Sequence, residues 1–167
     1  QQHFNEVKMF AAWQKSGEAT FSTSWAVKGE PTMTDPQTPA IFAAVNAPHQ
    51  FSYENGIVVT EARADYGRGV LTVGPDSINP HGQVHGGALA TLADTVAGTC
   101  ACAPGGSCVT SGCSMEFLRP ALGPEIVCEA VPKKRGRHLC VVAVTLTNAA
   151  GKVVCTGTYT FYMLPES

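Results

Sequence analysis

The chain has little charge: only 14% of its 167 residues are Asp, Glu, Lys or Arg, and its formal net charge is -2. With neither a basic surface nor an acidic tail, nucleic acids and strongly charged protein partners are not expected. It has no apolar run near the ~20 residues that a membrane-spanning helix needs, and no cationic start followed by an apolar stretch. A soluble, unprocessed protein that does not engage membranes is expected. The seven cysteines include no C-x-x-C pair. Neither Cys100-Ala101-Cys102 nor the gap from Cys108 to Cys113 matches a zinc ligand set, so no metal site is expected. Cys128, Cys140 and Cys155 sit in the runs Ile126-Val127-Cys128, Leu139-Cys140-Val141 and Val154-Cys155-Thr156 and read as small buried hydrophobes in a reducing, cytoplasmic setting.

What is present is a hydrophobic fraction of 44%, enough for one core in a chain of this length. Phe4, Val7, Phe10 and Ala11 recur at helical spacing, which predicts a short amphipathic helix over Phe4–Trp13. From Gly29 to Pro48 four prolines predict a linker, with a helical turn over Ala40–Asn46. After the turn signal Asn55-Gly56, Ile57–Ala64 and Gly69–Val73 read as a hairpin. A loop rich in turn formers, Gly74 to His85, then leads into a helix from Gly86 to Ala103. Cys108–Leu118, Glu125–Lys133, His138–Thr147 and Lys152–Leu164 read as strands at spacings that suit an antiparallel meander. One helix between a hairpin and four strands cannot build a parallel α/β sheet, so it must pack on one face of an antiparallel one. The fold class is α+β. Residues 1–50 read as an N-terminal extension and residues 51–167 as the folded domain.

Within Gly86–Ala103 every residue is Gly, Ala, Leu, Thr, Val or Cys except Asp94. A helix apolar all round is a buried helix, and burying an unpartnered carboxylate is costly, so Asp94 needs a reason. At about 100° per residue, Leu89, Leu92 and Val96 form a bulky ridge. Asp94 lies opposite among Gly87, Ala90, Thr91, Ala97, Gly98 and Ala101, where a ligand or another backbone can come close. Two readings stand: a functional carboxylate, or a structural hydrogen bond to a loop or a partner subunit. Gly86-Gly87 leaves the amides of the helix start unshielded, at the positive end of the dipole. That suits an oxyanion, although Gly-Gly also simply permits a tight join. Asn79 and His85 flank the loop with polar groups able to orient a carbonyl or a water, or to act only as turn and cap residues.

The run Asn79-Pro-His-Gly-Gln-Val-His85-Gly86-Gly87-Ala-Leu-Ala-Thr-Leu-Ala-Asp94 resembles the signature of PaaI-like hotdog acyl-CoA thioesterases, of the phenylacetate-pathway type. The likeness continues through Ser114-Met-Glu-Phe-Leu-Arg-Pro120 and Lys134-Arg135-Gly136-Arg137, covering roughly Tyr53 to Leu164. The resemblance implies a hotdog fold, a curved antiparallel sheet wrapped around one long helix, in a homodimer or homotetramer with active sites at the subunit interface. It implies hydrolysis of acyl-CoA, with no cofactor because CoA is part of the substrate. Asp94 would serve as general base or nucleophile, and the Gly86 amide, next to Gly87, would polarise the thioester carbonyl. Asn79 and His85 would orient and assist. A hydroxyl from the other subunit would fall on Thr110, with Ser111 as a substitute. Lys134, Arg135 and Arg137, beside Lys133 at one turn, would meet the CoA phosphates, or form only a solvated tip.

The absence of G-x-S-x-G argues against the serine-nucleophile route to the same reaction. The competing readings are a hotdog dehydratase or hydratase, whose motifs are not found, and a non-catalytic acyl-CoA binding or sensing module. Neither accounts for Asp94 beside Gly86 and Asn79 as well.

Overall fold

The computed structural model describes residues 38–165; the expected helix over Phe4–Trp13 lies outside the described residues. Helix α1 (Thr38–Val45) falls where a helical turn over Ala40–Asn46 is expected within the linker, and the single turn α2 (Phe51–Glu54) opens the folded domain. Phe42 and Val45 pack against the core, and Asn46, just past the end of α1, clamps strand β1. Its Nδ2 donates to the Val59 carbonyl at 2.9 Å, and its Oδ1 accepts from the Val59 amide at 2.9 Å.

The sheet has six strands: β1 (Ile57–Arg63), β2 (Tyr66–Thr72), β3 (Cys108–Phe117), β4 (Glu125–Arg135), β5 (Leu139–Asn148) and β6 (Val153–Met163). All neighbours run antiparallel, in the order β1-β2-β4-β5-β6-β3. The expectation of one continuous meander after the helix is therefore corrected. Strands β4, β5 and β6 do form one, but β3 pairs with β6 at the far edge, and β4 pairs back onto β2. The cause is helix α3 (Gly86–Cys102), which carries the chain across the sheet before β3 begins. Register shifts interrupt the ladders at Val59/Glu61, Thr110/Gly112, Pro132/Lys134 and Leu146/Thr147, and such bulges bend and twist a sheet.

Helix α3 contacts all six strands. Leu89, Leu92 and Val96 are each at most 3% exposed, as the ridge on the wheel predicts, and each contributes about 1.5–3 kcal/mol of burial. Strand β2 begins three residues before the expected Gly69, and its two glycines show why the helix sits so close. A Cβ at Gly69 would lie 2.5 Å from Val96 Cγ2, and one at Gly67 would lie 2.9 Å from Cys100 Cβ. Glycine here marks close approach of another element, not a strand break. Among the described residues no helix is long and apolar enough to cross a membrane.

Candidate active site

The loop between β2 and α3 is built on Asn79. Its side-chain Oδ1 accepts from the amides of His81 (2.9 Å) and Gln83 (3.2 Å), while its own amide donates to the Gln83 carbonyl at 2.7 Å. Both bonds to the side chain use the oxygen. The Nδ2 donors have no partner among the described residues, on a side chain that is only half-buried. The loop is tied down further by the His85 amide donating to Ser77 O at 2.8 Å and the Val84 amide donating to Ala121 O at 3.0 Å.

His85 is the N-cap of α3. Its Nδ1 accepts from the Gly87 amide at 2.9 Å, and its carbonyl accepts from Ala88 (2.9 Å) and Leu89 (3.2 Å). With Nδ1 an acceptor, the neutral imidazole carries its proton on Nε2. These bonds use the amides of residues 87, 88 and 89, so among the described residues only the Gly86 N–H at this helix start has no protein partner. A helix start offers up to four free N–H groups; here the cap narrows a row of donors to one. A Cβ at Gly86 would touch the Phe117 ring at 3.5 Å, which puts the last residue of β3 beside this amide.

Asp94 lies two turns further along α3. It is neither sealed in the core nor fully exposed, on a strip with the half-buried Ala90, Thr91, Thr95 and Gly98. Ala97 and Ala101, expected on the same open side, are buried at 0% exposure. Thr110 Oγ1 donates to Asp94 Oδ1 at 2.8 Å, and Oδ2 has no partner among the described residues. Beneath the carboxylate, the Tyr159 hydroxyl donates to Ala90 O at 3.1 Å. Burial, then the charges of Cys113 and Asp94, push the Tyr159 phenol well above its ordinary range, so it stays a neutral donor that anchors the helix. The sequence shows Tyr159 only as one more apolar strand residue; its role has no sequence signal.

The thioesterase superfamily model matches residues 81–155. A provisionally named esterase of Mycobacterium tuberculosis is 31% identical over 121 residues, covering 69% of this chain and 86% of that protein. The chain belongs to the thioesterase superfamily.

It is a PaaI-like hotdog thioesterase, a thioester hydrolase. The acyl-coenzyme A thioesterase PaaI of Escherichia coli is 32% identical over 85 residues, covering 50% of this chain and 61% of PaaI. The PaaI structure superposes with a TM-score of 0.72 at 22% identity over 78% of this chain and 96% of that one. A Streptococcus pneumoniae thioesterase solved with coenzyme A gives 0.62 at 27% identity, covering 66% and 87% of the two chains. That protein has also been crystallised with an aspartate, and with a threonine 16 positions further on, each replaced by alanine.

Other expectations meet the thioesterase structure differently. Thr110, expected to come from a different subunit than Asp94, bonds to Asp94 of its own chain, because β3 returns directly alongside the helix that precedes it. Ser111 is the extra residue of the Thr110/Gly112 bulge; its hydroxyl donates to Thr160 O at 3.0 Å, away from Asp94. Arg135, expected at the CoA phosphates, instead reaches the far end of α3. Its guanidinium donates to the carbonyls of Ala101, of Cys100 at 3.2 Å and of Ala64 at 2.9 Å. A cation with several donors suits the carbonyl-rich, negative end of a helix, and that is the physical reason it is not a free phosphate ligand. Lys134 and Arg137 stay exposed at the β4–β5 turn.

Proposed function

We propose that this thioesterase hydrolyses acyl-CoA to the free acid and CoA at a site shared between two copies of the chain. The observation that carries this reading is the Asp94–Thr110 hydrogen bond on the open strip of α3. The spacing of 16 residues between these two equals that between the aspartate and threonine singled out in the Streptococcus pneumoniae relative, which supports a catalytic role for both. Thr110 holds one carboxylate oxygen and leaves Oδ2 for the reaction. Oδ2 either takes a proton from a water that attacks the thioester carbonyl carbon, or attacks that carbon itself. The carbonyl π electrons move to oxygen, where the Gly86 N–H stabilises the oxyanion, aided by the unpartnered Nδ2 of Asn79. Collapse expels the CoA thiolate, which takes up a proton; where Oδ2 is the nucleophile, water then cleaves the mixed anhydride to the free acid and restores Asp94. His85 keeps the Gly86 amide free by occupying that of Gly87, and Lys134 and Arg137 supply charge for the CoA phosphates.

The sharing follows from helix geometry. Eight residues separate Gly86 from Asp94, about 12 Å of rise, whereas the path from a donor through one carbonyl and its attacking water to a base is about 9 Å, two hydrogen bonds of about 3 Å each with the carbonyl and the line of attack between them. That mismatch favours a donor and a base that come from different chains. Strand β3 supplies the remedy. It is a sheet edge with Val109 50% and Phe117 55% exposed, and an unpaired apolar edge of this length is a template for another strand. In one chain, the Thr110 end of β3 lies at Asp94 and the Phe117 end at Gly86. Antiparallel pairing of two β3 strands about their middle sets the Thr110–Asp94 end of each beside the Phe117–Gly86 end of the other. A homodimer of this kind completes two sites, covers the open strip of α3 and makes α3 the central helix of each hotdog. The cytoplasm, where acyl-CoA is made and used, is the fitting location.

The test is thiol release from a panel of acyl-CoAs, comparing the parent protein with Asp94→Asn. Turnover is expected to fall by roughly 100- to 10,000-fold with thermal unfolding nearly unchanged; equal rates in the two proteins would remove the mechanism.

A further inference from the structure

Far from the Gly86 amide, where α3 ends and β3 begins, two cysteines meet. Cys102 is in the last turn of the helix and Cys108 is the first residue of the strand. Their sulfurs stand 3.2 Å apart, inside van der Waals contact and about 1.2 Å from the ~2.05 Å of a disulfide. Both are free thiols. They lie on the wall of an open recess of about 550 Å³, bordered also by Ala40 and Ile41 of α1 and by Gly105, Gly106 and Ser107. A small oxidant can therefore reach a pair that the rest of the fold shields. The connecting turn can yield: Gly105 and Gly106 both take left-handed φ, 115° and 83°, conformations open to glycine, and a Cβ at Gly106 would meet nothing within 4 Å.

We propose that Cys102 and Cys108 are a modification site, closing to a reversible intramolecular disulfide in the presence of a peroxide. In the first step the Cys102 thiolate attacks one peroxide oxygen, the O–O bond breaks, and Cys102 becomes a sulfenic acid as hydroxide leaves. Cys108 then attacks the Cys102 sulfur; the S–S bond forms and the sulfenic oxygen leaves as water with the thiol proton. Two thiols are oxidised and one peroxide is reduced to two waters.

The surroundings set this pair apart from the buried cysteines Cys100, Cys128, Cys140 and Cys155. Burial pushes Cys100 up to about 12 and Cys155 up to about 11, and it also raises Cys128 and Cys140. Cys102 moves the other way: the Cys108 thiol donates to it when it ionises, outweighing desolvation, and Cys108 is raised in turn. Arg135 helps, since its guanidinium on the Cys100 and Ala101 carbonyls offsets the negative helix end that would otherwise repel a thiolate. The bond would tie the end of α3 to β3 two residues before Thr110.

The experiment uses the native full chain treated with equimolar hydrogen peroxide, then alkylated under denaturing conditions and mapped by mass spectrometry. Two of the seven thiols are expected to disappear together, with Cys102 joined to Cys108 inside one chain. Dithiothreitol should restore both, and Cys108→Ser should abolish the link. Recovery of Cys102 and Cys108 both alkylated while other cysteines oxidise overturns the proposal. So does a link between chains through Cys113 with Cys102 and Cys108 still alkylated. Because the readout is the bond itself, the outcome is independent of which thioester is hydrolysed.

Discussion

The two ends of helix α3 are handled in opposite ways. At its C-terminal end Arg135 donates to the carbonyls of Cys100 and Ala101, and Cys100 O also accepts from the Ala103 amide. At its N-terminal end His85 serves the amides of residues 87 to 89 and leaves that of Gly86 alone. A helix end that serves only the fold is satisfied by protein groups. One that leaves a single donor open, with a fixed amide of Asn79 on the same loop, is arranged for something that arrives later. A side chain at a helix terminus, a donating cation at one end and an accepting ring at the other, is thus structural at the first and preparatory at the second.

Proline at position 86 breaks this contrast most sharply. Gly86 is the first residue of α3, where proline is well tolerated, and His85 before it already has φ -63° and ψ 137°, which suits a residue preceding proline. Gly86→Pro therefore removes the one free N–H and little else. Turnover is expected to fall roughly 100- to 1,000-fold, with far-UV circular dichroism and Tm close to the parent; a fall in Tm that accounts for the lost rate would mean the amide is structural after all.

At the other end the expected effect is on stability. Arg135→Ala leaves carbonyls of Cys100, Ala101 and Ala64 without their cation, at a cost of about 1–2 kcal/mol, seen as a Tm lower by a few degrees. The KM for acyl-CoA should not move. A raised KM with unchanged Tm would return Arg135 to the phosphate site. The smallest effect belongs to Lys134→Ala and Arg137→Ala together: KM for acyl-CoA a few-fold higher at low salt, the difference closing at high salt as screening takes over, and kcat unaltered.

Much of this was legible in the sequence because the signals are local. The lone acid of Gly86–Ala103, the ridge of Leu89, Leu92 and Val96, and the Gly-Gly helix start are properties of one helix and its pitch, and the structure has Asp94 on the open side and the ridge in the core. The resemblance supplied the hotdog fold where periodicity alone reached only a helix on an antiparallel sheet. What was illegible depends on distant pairings. Nothing in Cys108–Phe117 says that its partner is β6 and not β4. A basic cluster does not announce that Arg135 turns back to a helix end 34 residues earlier. Gly67 and Gly69 read as weak points of a strand until Cys100 and Val96 are seen above them. Thr110 was named from the family pattern, but its pairing with Asp94 of the same chain rests on how β3 returns along α3.

Subunit complementation tests the shared site most directly. Gly86→Pro and Asp94→Asn chains, each inactive alone, are to be unfolded, mixed in equal amounts and refolded together, with thiol release measured against each variant refolded by itself. If the amide of one chain works with the carboxylate of the other, half the dimers are mixed and each holds one intact site, so about a quarter of parent activity returns. If donor and base belong to the same chain, every site carries a lesion and the mixture stays as inactive as its parts.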